Sequence, residues 1–463
     1  MTLPQGFAAA PGSQPRLLHL VDRTGLDAWR LRQPPSVQQW LAAHAFDASA
    51  GSLLVLPGGD GVGGAVLGIG DRLDPASYAF APMALPPGDW RVDGDLDADV
   101  RVALQLGWGL GAYRYTRFRA APRAPAQLVL DTLDDETADV LASCLRVRDL
   151  VNTPTEHLGP DELEQVVCEI SERHGASIEV ISGDDLLAQN FPGIHAVGRA
   201  SHRAPRLIAL RWGPPGDSDA SAPHVAIVGK GVCFDTGGLS IKFADGMRNM
   251  KKDMGGAAHA IALAELIMAR KLPLRITLLV PAVENAIGPD SYRPGEVIAT
   301  RKGMHVEVDN TDAEGRVILG DALTYAGEQS PELLLDFATL TGAARTALGP
   351  DLPALYANDD AIARQWFDAG AQARDPVWRM PLWRPYLRYL TSNIADLANS
   401  GPSKMAGSIT AALYLECFVP TQQPWAHLDV YAWNDSDRPG KPAGGEAQGL
   451  RAAYAMLKAR YAN

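Results

Sequence analysis

Cysteine is scarce in this chain of 463 residues. The four cysteines stand far apart, at positions 144, 168, 233 and 417, and no two of them form a CxxC pair. Disulfide frameworks and zinc–thiolate sites depend on characteristic cysteine spacings, so neither is expected. The sequence also lacks a stretch of about 18 uninterrupted apolar residues, so no membrane span is expected.

The N-terminal residues lack the basic patch followed by an apolar run that marks a secretory signal, so a cytoplasmic protein is expected. Positive charge is in deficit: the net charge is −12 and the pI is about 5.3. Nucleic acid is therefore an unlikely main partner. The basic and aromatic stretch from Arg114 to Arg123 resembles a single-strand binder, but we favour a solvated or interdomain face.

Several common catalytic signatures are missing as well. The ten histidines include no HExxH motif. The glycine-rich segment from Gly229 to Gly238 carries a lysine, but it fits neither GxxxxGK[ST] nor GxGxxG. This segment therefore predicts neither a nucleotide phosphate site nor a dinucleotide site.

The length exceeds one ordinary core, so we expect two domains. The predicted division is a first domain over residues 1–125, a connecting helix over 126–150 and a larger domain over 151–463. In the first domain, strands are predicted at Leu53–Leu56, Ala65–Ile69 and Val100–Leu106. The connecting helix is predicted over Asp131–Leu150, with Asp131 or Thr132 as its cap.

In the larger domain, helical and strand patterns alternate to the end of the chain. The pattern predicts a helix at Asp161–His174, and strands at Ile178–Ile181, Leu207–Trp212 and Val225–Val228. Residues 218–223 have the composition of a surface loop. Alternation of this kind indicates βαβ units and hence a parallel sheet.

The most informative segment is Asn310-Thr311-Asp312-Ala313-Glu314-Gly315-Arg316. Positions i and i+2 of an extended segment project to the same side, about 6.6 Å apart, so Asp312 and Glu314 could converge on cations. Arg316 could hold an anion beside them. The segment lies between a strand pattern and a helix pattern, where α/β proteins place their chemistry. A polar turn with a capping aspartate is the alternative interpretation.

Two further carboxylates occupy comparable positions. Asp235 follows the strand at Val225–Val228, and Asp253 precedes an alanine-rich helix pattern, where it could also be an N-cap. Four such acids at one edge of a sheet would repel one another strongly. Zn, Mn, Co or Mg ions are the natural compensation, and two of them would form a two-metal hydrolytic site.

The motifs around these acids resemble the leucyl aminopeptidase family of cytosolic dinuclear metallopeptidases. The similarity rests on GKGVCFDTGGLSIK, MKKDMGGAA and the highly specific NTDAEGR, with further matches at LVNTP, ATLTGA, MPLW and WAHLD. It covers most of the C-terminal two thirds. It implies an α/β fold with a smaller N-terminal α/β domain and a larger catalytic α/β domain, whose mixed, mainly parallel sheet is sandwiched by helices.

The resemblance implies a role for each motif residue. Asp235 and Glu314 would bridge two divalent metal ions, Zn or Mn, with Lys230 and Asp253 completing one site and Asp312 the other. Lys242 would polarise the scissile carbonyl, and Arg316 would hold a bicarbonate ion that acts as general base. The pocket for the first side chain of a peptide substrate, preferably Leu or another apolar residue, would be lined by Met250, Thr339 and Gly342. The family is usually hexameric, so a homohexamer is implied too.

Two positions depart from the usual pattern of the family: Thr236 stands where many members have Ser, and Lys252 where many have Tyr. An added positive charge beside Asp253 could alter metal affinity. Two other functions stay open. A narrower dipeptidase, for example for Cys-Gly, would use the same site, and an additional DNA-binding or regulatory role would have only the segment from Arg114 to Arg123 as support.

Overall fold

The computed structural model describes residues 3–12, 14–59, 61–213, 222–403 and 405–462. The chain forms two compact units, one comprising Met1–Leu145 with Asn434–Gly444 and the other Arg146–Trp433 with Gly445–Asn463. The predicted two-domain α/β fold is confirmed, whereas its residue boundaries at 125 and 150 stay predictions. None of the helices in the described ranges is long and apolar enough to cross a lipid bilayer.

The first unit is built on a six-stranded sheet in the order β1-β6-β5-β2-β4-β3. Its strands are β1 (Phe7–Ala8), β2 (Arg16–Val21), β3 (Leu53–Gly58), β4 (Gly61–Gly68), β5 (Asp89–Val92) and β6 (Gln127–Val129), and its helices are α1 (Leu26–Leu31), α2 (Pro35–Ala43), α3 (Ala81–Ala84) and α4 (Ala98–Ala112). The β3–β4 pair is antiparallel and the other pairs are parallel. The sheet is therefore mixed but mainly parallel.

Two predictions for this part of the chain are wrong. Val100–Leu106 lies within helix α4 and is not a strand. An apolar run that is buried on most sides has no periodicity that separates a strand from a helix, which explains the error. The connecting helix, α5 (Asp135–Asn152), begins after Asp131 and Thr132. Asp134 caps it instead, because its carboxylate accepts the backbone N–H of Thr137 at 2.7 Å.

The basic stretch from Arg114 to Arg123 also lies in this unit. Arg114 donates to the carbonyl groups of Gly111 and Tyr113, and Arg123 donates to those of Pro82 and Leu85. Both guanidinium groups therefore bind the protein's own backbone. Arg117 and Arg119 of the same stretch are exposed, and the absence of nucleic-acid binding stays a prediction.

The second unit is built on a larger sheet in the order β16-β15-β18-β14-β9-β11-β8-β7, with β10 paired to β11. Its first half contains α6 (Pro160–His174), β7 (Ser177–Ser182), α7 (Asp185–Ala188), α8 (Pro192–Gly198), β8 (Arg206–Trp212), β9 (His224–Gly229), β10 (Gly231–Asp235), α9 (Ala244–Met247), α10 (Gly255–Ala269), β11 (Arg275–Asn285), β12 (Val297–Ala299) and β13 (His305–Glu307). Of the loop predicted at 218–223, residues 218–221 lie outside the described ranges.

The second half of this unit continues the alternation. It contains α11 (Glu314–Glu328), β14 (Leu333–Ala338), α12 (Gly342–Leu348), β15 (Ala354–Ala357), α13 (Asp360–Gln372), β16 (Trp378–Arg379), β17 (Leu397–Ala398), α14 (Gly407–Glu416), β18 (Trp425–Asp429) and α15 (Leu450–Tyr461). A short pair, β19 (Trp433–Asn434) with β20 (Gly444–Gly445), lies at the boundary in sequence between the units. Strands β18, β14, β9 and β11 run parallel in the centre of the large sheet, and antiparallel neighbours flank them.

Helix α10 packs against this parallel centre. All of its residues except Glu265 and Ala269 are buried, so it is apolar on nearly every face. A Cβ on Gly256 would lie 2.2 Å from the carbonyl oxygen of Phe337, so only glycine permits this approach to β14. The close packing fixes the start of α10, and with it the segment that carries Asp253.

Glycine plays the same role in the first unit, where Gly111 of α4 lies against Ala79. A Cβ on Gly111 would come within 1.6 Å of the Ala79 carbonyl oxygen, a backbone atom that cannot move away alone. We therefore expect Gly111→Ala to lower the free energy of unfolding by about 1–3 kcal/mol or more through overpacking. Denaturant unfolding followed by circular dichroism measures this. Val102→Ala on the exposed side of the same helix is the control and should change stability by no more than about 0.5 kcal/mol; equal losses in the two variants would contradict the interpretation.

Candidate active site

The four predicted carboxylates lie on loops or element ends of the second unit. Asp235 is the last residue of β10, and Asp253 belongs to a short 3-10 helix, Met250–Met254, that leads into α10. Asp312 lies in the loop after β13, and Glu314 is the first residue of α11. Met254 occupies the cap position of α10, so Asp253 is not its N-cap.

These carboxylates converge. One oxygen from each of Asp235, Asp312 and Glu314 lies within 4.8 Å of the other two. Lys230 joins Asp253 to the group: its Nζ atom is 2.7 Å from Asp253 Oδ2 and 2.9 Å from Glu314 Oε1. Residues from separate segments of the chain thus come together in one cluster, as the sequence predicted, with Asp312 the least buried of the four acids.

Two lysines supply the positive charge in the cluster. Lys242 Nζ lies 2.8 Å from Asp235 Oδ2 and 2.5 Å from Asp312 Oδ1. Burial alone would lower the pKa of both Lys230 and Lys242, but the surrounding carboxylates outweigh burial and raise the pKa of each. Both ammonium groups are therefore held in the charged form by the acids around them.

Even so, the acids outnumber the lysines. Burial and the neighbouring Asp235 raise the pKa of Glu314 to about 8 and that of Asp312 to about 6. Glu314 Oε2 is buried and has no hydrogen-bond partner within the part of the chain that the structure describes. A buried oxygen-rich cluster that needs more positive charge is a donor set that fits divalent cations.

The loops around the cluster are held by side chains that the sequence did not single out. Asn285 Nδ2 donates both to Asp235 Oδ1 at 2.8 Å and to the Thr311 carbonyl at 3.0 Å. Tyr292 donates its hydroxyl to the same carbonyl at 2.6 Å. Asn285 ends β11 next to β10 in the sheet, so strand pairing, which no local motif reveals, brings it to the site.

Arg316 is buried near the same loop. Its Nη1 donates to the carbonyl of Asn399 at 2.7 Å, and its guanidinium lies 6.0 Å from the centre of the Tyr414 ring. Burial lowers the pKa of Arg316. Its Nε atom is buried and unpartnered among the residues described. A fixed guanidinium with an unused donor fits a small anion.

The three predicted pocket residues begin or precede helical segments. Met250 starts the 3-10 helix that contains Asp253, and Gly342 starts α12. Thr339 follows β14, and its hydroxyl donates to Asp253 Oδ1 at 2.9 Å. Its carbonyl accepts a hydrogen bond from Lys230 Nζ at 2.9 Å. Thr339 therefore contacts two members of the cluster directly.

An α/β sheet whose strand ends gather carboxylates and lysines into a cluster that can hold cations is typical of a metal-dependent hydrolase. Comparison with known proteins identifies the family. The model described as the catalytic domain of the cytosol aminopeptidase family matches residues 146–454, and the model for the N-terminal domain of M17 aminopeptidases matches residues 17–131. The chain belongs to the cytosol aminopeptidase family and is a metal-dependent aminopeptidase.

Individual relatives agree with this assignment. A probable cytosol aminopeptidase of Chlorobium limicola is 36% identical, and the similarity covers 89% of this chain and 90% of the relative. The crystal structure of a cytosol aminopeptidase from Coxiella burnetii is 45% identical, with a TM-score of 0.93 over 98% of this chain and 99% of that one. The bottromycin maturation enzyme BotP in complex with Mn is 31% identical, with a TM-score of 0.86 over 97% and 100% of the two chains.

Asn285 links two of the segments that carry the carboxylates. Asn285→Ala removes both hydrogen bonds that tie Asp235 to the loop carrying Asp312. We expect it to weaken Mn²⁺ binding about 10- to 100-fold, the usual effect of losing a residue that orients ligands. Isothermal titration of metal-free protein measures the affinity.

Asn358→Ala is the matched control. The Asn358 side chain likewise makes two hydrogen bonds, in its case to the backbone of Gln423 and Trp425, but within the described ranges it forms none with the cluster residues. An equal loss of Mn²⁺ affinity in both variants would show that Asn285 acts only through general stability.

Proposed function

We propose that this protein removes the N-terminal residue from peptides, preferably Leu or another apolar residue, by a two-metal mechanism. Five side chains would hold two divalent ions: Lys230, Asp235, Asp253, Asp312 and Glu314. The convergence of Asp235, Asp312 and Glu314 within 4.8 Å is the observation that carries the proposal. When bound, the ions would lower the pKa of a water molecule and polarise the scissile carbonyl.

The protein's own side chains would hold these ions. Lys230 contacts Asp253 and Glu314, and Lys242 contacts Asp235 and Asp312, so the four acids and Lys230 would be placed to hold the ions. As a ligand Lys230 must be neutral. Two cations in the same cluster would neutralise the carboxylates and repel the ammonium, and both effects lower the lysine pKa.

Lys242 and Arg316 would provide the remaining charges. Lys242 would stay protonated and stabilise the negative charge that develops on the substrate carbonyl oxygen. Arg316, buried and with an unused Nε donor among the described residues, supports a site for a small anion such as bicarbonate, which would accept a proton. Met250, Thr339 and Gly342 would line the pocket for the first side chain.

Other features of the proposal rest on family likeness alone. We infer that the physiological ions are Zn or Mn, since the BotP structure contains Mn. We also propose a homohexamer that acts in the cytoplasm. The metal content of the purified protein and its mass by multi-angle light scattering test the first two of these inferences.

Removal of a proposed ligand provides the main test. Asp312→Ala and Glu314→Ala should each abolish hydrolysis of Leu-anilide at saturating Mn²⁺ while the melting temperature of the metal-free protein stays close to wild type or rises. Asp309→Ala removes an exposed acid three positions before Asp312 and should retain full activity. Near-normal turnover in either ligand variant would refute the two-metal assignment.

The pocket assignment is tested by filling the space at Gly342. A Cβ there would meet no described atom within 4 Å, so a larger residue can be accommodated by the fold. We expect Gly342→Val to lower kcat/KM for Leu-anilide by about 10-fold or more, because a hydrophobic pocket discriminates by roughly 1–3 kcal/mol for each methylene. The kcat/KM for Ala-anilide should decrease far less, because its side chain is smaller.

The same kinetic series distinguishes the narrower alternative. If Gly342→Val lowers kcat/KM equally for Leu-anilide and Ala-anilide, the side chain of the substrate's N-terminal residue binds elsewhere. Wild-type turnover that is much faster on Cys-Gly than on Leu-anilide would indicate a dipeptidase.

A further inference from the structure

The loop of residues 339–341, between β14 and α12, contacts the proposed metal site at two points. The Thr339 hydroxyl donates to Asp253 Oδ1, and the Thr339 carbonyl accepts from Lys230 Nζ, both at 2.9 Å. The loop then leads into α12 at Gly342. A small displacement of this loop would therefore move two proposed ligands and the proposed pocket together.

Asp429 holds this loop from the neighbouring strand. It is the last residue of β18, which pairs in parallel with β14 so that Asp429 lies opposite Ala338. Its Oδ1 accepts the backbone N–H groups of Leu340 and Thr341 at 3.0 and 3.2 Å. Its Oδ2 accepts the Thr341 hydroxyl at 2.6 Å. One carboxylate thus satisfies three donors of two consecutive residues.

The Thr341 hydroxyl extends this connection into α12. It accepts the backbone N–H of Ala344 at 3.0 Å and so acts as the N-cap of that helix. Asp429, Thr341 and α12 therefore form one hydrogen-bonded unit. The start of α12 cannot shift without breaking either the cap or the contact with the carboxylate.

The Asp429 carboxylate also has a contact outside this loop. Asp429 is only 3% exposed, and Ser408 of α14 lies 3.4 Å from its Oδ2. The Tyr356 hydroxyl donates to Ser408 at 2.8 Å. A buried carboxylate with its partners in place favours a single orientation, because rotation would break the hydrogen bonds to its donors.

We propose that Asp429 is a positioning residue for catalysis: through its bond with the Thr341 hydroxyl it sets the place of Thr339, which in turn orients Asp253 and Lys230. The inference rests on the proposed two-metal function. It differs from a purely structural role for Asp429, which would affect stability without changing the site. Groups that orient metal ligands commonly alter metal affinity or activity 10- to 100-fold when they are removed.

The test uses Thr341, because Asp429→Ala removes the acceptor of three donors at once and can prevent folding. Thr341→Val keeps the shape of the side chain and removes the hydroxyl that joins Asp429 to α12. We expect it to weaken Mn²⁺ binding by about 10-fold and to lower kcat for Leu-anilide by a similar factor. Thr341→Ser restores the hydroxyl and should restore both values.

Asp336→Asn is the matched control. Asp336 is also a buried carboxylate on a central strand, and it accepts Trp425 Nε1 at 2.7 Å and pairs with His427 Nδ1 at 2.5 Å, but it makes no contact with the loop of residues 339–341 in the described structure. Its loss should lower the melting temperature and leave Mn²⁺ affinity and kcat at wild-type values.

The outcomes are distinct. Thr341→Val with wild-type Mn²⁺ affinity and kcat, or Asp336→Asn with the same losses as Thr341→Val, would overturn the positioning role while wild-type activity upholds the proposed function. A wild-type protein that neither binds Mn²⁺ nor hydrolyses Leu-anilide would overturn the proposed function and this inference with it.

Discussion

The mutual repulsion of buried carboxylates is the constraint on which the active site depends. Asp235, Asp253, Asp312 and Glu314 are close enough that two lysines do not compensate them, as the raised pKa of Glu314, about 8, indicates. Such a cluster costs folding free energy unless cations bind it, because burial and like charges both disfavour ionised acids. The surrounding fold must therefore hold the acids together against their repulsion.

Close packing of the backbone keeps the acids together. Gly237 and Gly238 adopt positive φ angles of 86° and 61°, a conformation that glycine reaches without strain, and they turn the chain beside Asp235. A Cβ on Gly315 would lie 2.4 Å from Lys230 Cε, so the glycine beside Glu314 makes room for the lysine side chain. The small residues of the motifs are thus as necessary for the geometry as the charged residues are.

The sequence predicted that the four carboxylates meet, because each follows an apolar run or precedes a helix pattern, and parallel strands end at a common edge. It did not indicate Asn285, Tyr292 or Asn399, which reach the site through strand pairing and loop packing between distant segments. Helix α4 was mistaken for a strand for a related reason. Its burial comes from tertiary contacts, so its apolar residues carry no helical periodicity.

The two departures from the family pattern show how the fold accommodates change next to the ligands. Thr236 supplies a hydroxyl, as a serine would: its Oγ1 donates to the Asn285 carbonyl at 2.7 Å and accepts the Gly238 N–H at 3.0 Å. Lys252 is buried, and burial lowers its pKa to about 8. Its Nζ lies 4.8 Å from the centre of the Tyr431 ring, and Arg345 packs on the same ring.

An aromatic face attracts a cation without supplying a formal negative charge. Among the described residues Lys252 makes no ion pair, so it does not withdraw Asp253 from the cluster by competing for its carboxylate. The extra lysine is therefore held by Tyr431 rather than by a proposed ligand. This arrangement keeps the oxygen atoms of Asp253 available to Lys230 and Thr339, on which the geometry of the site depends.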